Sequence, residues 1–179
     1  MKELIFCLSV YLFSSALLPD TTAATRPNPK IITGGSAWAK GAATPNELAQ
    51  NVLQAIKENK TESLNAFLLG EAEFVQLKSK SSADMKAFLD NTTVTDLQNT
   101  FRTSYDDLIK DGISQTINWS EMEVSEARLG KAAPKTPFLL PITVTLLDKQ
   151  QRPLLLLLET VKLNNRYFLF RKIDLQPRQ

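Results

Sequence analysis

The chain has no histidine, and its one cysteine, Cys7, sits in the N-terminal apolar stretch. A Ser/His/Asp triad, a Cys/His dyad and a zinc site of Cys and His ligands all need residues the sequence does not supply. Glycine is scarce, six in 179 residues, and the pair Gly34-Gly35 is neither followed by Gly-Lys-Ser/Thr nor preceded by a strand pattern, so it is no phosphate loop. A bias in charge is missing too. With 21 basic and 19 acidic residues the formal charge is +2, and lysines and arginines are spread along the chain, which argues against a nucleic-acid partner. What is present, 43% hydrophobic and 22% charged residues over 179 positions, suffices for one domain with a real core and is thin for two.

Lys2 is followed by an apolar run over 4–18, broken only by serines, and then by Pro19 and the small residues Thr21 to Ala24. That is the anatomy of a secretory signal peptide, with cleavage expected after Ala24. The run is about 15 residues against the ~20 a spanning helix needs, so no stable membrane insertion is expected after cleavage. Cys7 has too little hydrophobic sequence before it to be a lipid-attachment cysteine. The protein is therefore expected to be exported, periplasmic or secreted. Loss of residues 1–24 moves the formal charge to +3 and leaves a chain without cysteine, stabilised by its core.

Residues 25–43, with Pro27, Pro29 and three glycines, read as a flexible tether, and residues 44–179 as a single domain. Thr44, Pro45 and Glu47 predict a capped helix start, with Leu48, Val52, Ala55 and Ile56 on one face and an end near Asn59. A second start at Thr61 and Glu62 carries Leu64, Phe67 and Leu68 and stops at Gly70. A short helix is expected over 84–89, and Lys78 to Ser82 as a basic, solvated loop. Thr93 caps a longer helix over 94–110. From there the period changes from 3.6 to 2, and strands are expected over 113–119, 122–129, 138–147, 154–163 and 166–173. Helices followed by an antiparallel meander describe an α+β domain.

Asn164-Asn165 suits a two-residue hairpin turn, which places Val161 opposite Phe168 and Glu159 opposite Phe170. A four-residue turn over 149–152 places Leu146 opposite Leu155 and Ile142 opposite Glu159. One face then collects Ile142, Val144, Leu146, Leu155, Leu157, Val161, Leu163, Phe168 and Phe170, and is expected under the helices. The other carries Leu154, Leu156, Leu158, Tyr167 and Leu169, too apolar for water, so it is expected to be covered by a homodimer partner or by the chain's own tether or short helix.

Asn164, Asn165, Arg166, Tyr167 and Phe168 form a turn followed by an aromatic pair at the end of a long hairpin, and Trp119 lies upstream. With helices first and strands after, this resembles the NTF2-like group of cystatin-like folds, especially its small exported bacterial members, whose last hairpin carries an Asn/Gly-Lys-Trp-Tyr turn. The resemblance spans 44–174. It implies N-terminal helices packed on a curved antiparallel sheet around a conical cavity, which in some members holds an acid/base constellation and in others binds a small molecule or is filled.

Glu159, on the expected interior face with Lys172 as its diagonal neighbour, is the carboxylate to watch, because a buried carboxylate must be paired or have its pKa raised. Tyr105, Trp119, Phe170 and Lys172 complete the candidate pocket. Tyr105 with Asp106 or Asp107 could support acid/base chemistry, but the two aspartates diverge from Tyr105 by about 100° per residue, toward solvent. No residue is assigned a catalytic role, and no motif calls for a metal or cofactor. The sequence reads as an exported binding or interaction domain with a small-molecule cavity. The alternatives are a metal-free isomerase, dehydratase or hydrolase and an envelope assembly subunit.

Overall fold

The computed structural model describes residues 40–132 and 138–176. The expected signal peptide and most of the expected tether lie outside these residues. Among the described residues four α-helices precede a four-stranded antiparallel meander in the order β1-β2-β3-β4, an α+β domain.

Helix α1 is Pro45–Glu58. The Thr44 hydroxyl accepts from the Glu47 N–H at 3.1 Å, and the Glu47 carboxylate reaches past Thr44 to accept from Ala43 N–H. Asn59 ends the helix in the left-handed conformation. The second expected helix is a 3-10 turn, Thr61–Phe67. It leads into α2, Glu71–Lys80, an element the sequence reading lacks: Lys78 to Lys80 are helical, and Gly70 begins this helix, its N–H donating to Glu73. Helix α3 is Ala83–Asp90. Helix α4, Val94–Ser114, opens with reciprocal Thr93–Asp96 capping and runs past Gly112, its expected stop. Gly112 is needed for packing, because a Cβ there would stand 2.5 Å from Trp119 Nε1. The strand expected over 113–119 is accordingly the end of α4, a turn with Thr116 at positive φ, and a 3-10 turn, Trp119–Glu121.

The strands are β1 (Glu123–Leu129), β2 (Ile142–Leu147), β3 (Pro153–Leu163) and β4 (Arg166–Gln176). Asn164 and Asn165, both at positive φ, make the two-residue turn expected, and Val161 pairs with Phe168. The register expected between β2 and β3 is off by one place: Leu146 pairs with Leu154, not Leu155, and Ile142 with Leu158, not Glu159. The cause is Asp148. Its carboxylate accepts from the Gln150 and Arg152 N–H groups and from Arg152 Nε, which builds a five-residue loop in place of the four-residue turn. These donors, the Arg152 N–H above all, hold the Asp148 pKa below the usual aspartate value. A bulge between Leu158 and Thr160 then carries Leu157 opposite Asp174 rather than Lys172.

The one-place shift exchanges the faces of the first half of β3. Leu154, Leu156 and Leu158 point inward with Ile142, Val144, Leu146, Tyr167, Leu169 and Ile173, under α1 and the Phe101, Tyr105 and Leu108 stripe of α4. All five residues expected on an exposed dimer face are therefore in the core. Leu155 and Leu157, expected inside, are half-buried on the outer face. Toward the hairpin tip the other face is covered as well: Val161, Leu163, Phe168 and Phe170 pack against α2, α3 and the first turn of α4. Gly41 and Ala42, read as the end of the tether, belong to the domain. Ala42 exchanges backbone hydrogen bonds with Tyr167, and Arg166 clamps the Gly41 carbonyl.

Candidate functional site

The five residues of the expected pocket are not brought together. Tyr105 is 1% exposed, and its hydroxyl donates to the Ala55 carbonyl at 2.8 Å. Desolvation, with smaller contributions from Asp106 and Glu62, pushes its pKa up to about 12. A phenol so held is a weak acid at neutral pH and already spends its proton on the fold. Trp119 lies on a 3-10 turn rather than a strand, with Nε1 buried and without a hydrogen-bond partner among the described residues. Phe170 belongs to the second core cluster.

Glu159, at the β3 bulge, faces outward and pairs with Arg171 at 2.8 Å rather than with Lys172, which pairs with Asp174 at 3.6 Å. The Arg171 guanidinium also lies about 5 Å from the ring centres of Phe88 and Phe170, so the carboxylate is anchored through an aromatic-packed cation. Glu159 and Lys172 share only a shallow hollow of about 170 Å³ with Leu139, Pro141, Leu157 and Asp174. Asp106 is exposed, as its helical position predicts.

A larger concavity, about 590 Å³, opens where the sequence reading placed nothing, between the C-terminal half of α4 and the end of β4. Thr100, Thr103, Ser104, Asp107, Leu108 and Asp111 form its helical wall, and residues 172–176 form the other. Spacings of three and four put Thr100, Thr103, Ser104, Asp107 and Asp111 on one stripe of α4, next to the buried stripe of Phe101, Tyr105 and Leu108. The legible signal was that stripe: hydroxyls and carboxylates at helical spacing beside a strongly apolar face. Ser104 ties the two walls of the groove together. Its Oγ accepts from the Ile173 N–H at 3.0 Å and donates to the Ile173 carbonyl at 2.9 Å. Lys110 pairs with Asp107 at 3.1 Å on the outer rim.

Among the described residues no group of three or more Asp, Glu, Cys or His side chains is placed to hold a metal ion, and no helix is long and apolar enough to cross a membrane. No family model, curated protein or solved structure matches the chain.

Proposed function

We propose that this is an exported, non-catalytic binding domain of NTF2-like architecture whose ligand surface is the groove between α4 and β4. The observation that carries the reading is the groove itself, about 590 Å³ with a wall of hydroxyls and carboxylates, in a domain whose core is otherwise filled by Leu, Phe and Tyr side chains. That volume falls in the usual range for ligand sites, ~300–1,000 Å³. Binding is favoured over catalysis because the two best acid/base candidates are already engaged, Tyr105 with a backbone carbonyl and Glu159 with Arg171, in different parts of the fold. The order of helices and meander supports the NTF2-like reading, and Lys2, the apolar run and Ala24 support export.

The test is a ligand screen of small amines, polyols and short peptides, mapped by amide NMR on the purified protein. Shifts are expected around Thr100, Thr103, Asp107 and Gln176, and Thr103→Trp, which fills the groove from an exposed position, should abolish them. Hits that map elsewhere, or that survive the substitution, overturn the assignment of the groove.

A further inference from the structure

Strand β4 is an edge strand, and three of its residues, Tyr167, Leu169 and Ile173, have partners on the outward side. Tyr167 exchanges N–H and C=O bonds with Ala42 at 2.8 and 2.9 Å. Leu169 bridges to Leu68, and at Ile173 the Ser104 hydroxyl takes the place of a neighbouring strand, bonding both the N–H and the carbonyl. Outward groups alternate along an antiparallel strand, so after Ile173 the next N–H and C=O to face away from β3 are those of Leu175. Among the described residues these groups have no backbone partner. Leu175 and Gln176 instead line the groove. Of the carboxylates there, Asp107 pairs with Lys110 and Asp174 with Lys172, which leaves Asp111 without an ion pair among the described residues.

We infer that the groove takes an extended peptide bearing basic side chains, which adds to the edge of β4 at Leu175 beyond the Ser104 plug. This rests on the groove being the binding surface and names its ligand class. The peptide backbone supplies the donor and acceptor that Leu175 lacks among the described residues, as Ala42, Leu68 and Ser104 do at Tyr167, Leu169 and Ile173. Alternate side chains of an added strand point to opposite sides, so every second residue meets the α4 wall, where a lysine or arginine reaches Asp111. Charge complementarity selects against acidic peptides at the same wall.

The probes are a blocked heptapeptide of alternating valine and lysine, the same peptide with alternate backbone amides N-methylated, and spermidine, a flexible polyamine with no peptide backbone. Titrated into the purified protein, the first is expected to slow hydrogen exchange of the Leu175 amide and to shift the groove resonances. N-methylation should weaken it by about tenfold, the value of one to two backbone hydrogen bonds. Asp111→Lys should also weaken it, and a lysine in the last turn of α4 suits the helix dipole, so the fold is retained. If spermidine and the methylated peptide bind as well as the parent and Leu175 exchange is unchanged, the groove binds cations without strand addition; the inference is overturned and the groove assignment stands. If no probe perturbs the groove, the inference is overturned, and the ligand screen decides the groove separately.

Discussion

Tyr105 shows how a side chain with catalytic potential can be committed to structure. Its ring fills the core between α1 and α4, and its hydroxyl gives the Ala55 carbonyl, which also accepts from the Lys60 N–H at 3.0 Å, a further donor. Because the carbonyl keeps its backbone donors, Lys60 and Asn59, Tyr105→Phe is expected to cost only about 1 kcal/mol at neutral pH. The pH dependence is more specific. The phenol pKa is raised in the fold, so its stabilising contribution is complete below the unfolded tyrosine value of ~10 and is lost as pH climbs toward about 12. Urea midpoints measured across that window should fall less for Tyr105→Phe than for the parent, and parallel declines would show that this phenol is not the group responsible. Gly112 makes a steric argument of the same kind. Gly112→Ala drives a methyl group against the Trp119 indole and is expected to cost about 1–3 kcal/mol by urea denaturation, whereas a stability gain, as alanine's helix propensity alone would give, would mean the indole moves aside.

The elements of this fold were legible wherever local chemistry decides them. Thr44-Pro45, Thr93 and the asparagine pair at 164–165 mark their helix starts and hairpin turn because capping and positive φ are properties of a few neighbouring residues. What could not be read was decided across distance. Helix α2 has a weak apolar stripe, and it forms where Phe74 and Leu77 meet the hairpin. Strand β3 is a run of leucines over 154–158, so its composition does not favour one face over the other, and a single loop residue, Asp148, sets its register. Glu159 lies outside the core for that reason, since its expected interior place rests on a register one place off. The two registers make opposite predictions. In the structure Leu156→Ala should cost about 2–5 kcal/mol and Leu157→Ala distinctly less, and the reverse order in urea denaturation would restore the four-residue turn.

The two core clusters lie on opposite faces of the sheet, yet they share their supports. The hairpin of β3 and β4 gives Tyr167 and Leu169 to one cluster and Phe168 and Phe170 to the other. Helix α4 does the same along its length, with Val94 and Leu97 in the second cluster and Phe101, Tyr105 and Leu108 in the first. Unfolding either layer therefore exposes the inner face of an element the other layer needs. A domain of ordinary stability, about 5–15 kcal/mol, should respond as one unit. Leu77→Ala, in the layer of α2 and α3, and Leu108→Ala, in the layer of α1 and α4, are each expected to cost about 2–5 kcal/mol and to lower the same single urea transition, with its slope unchanged. Two transitions, the earlier one moved only by Leu77→Ala, would show instead that α2 and α3 open independently. The groove lies between α4 and β4, two of the elements common to both layers. A ligand seated there bears on the whole cooperative unit, so its binding should raise the midpoint of that one transition rather than stiffen one side.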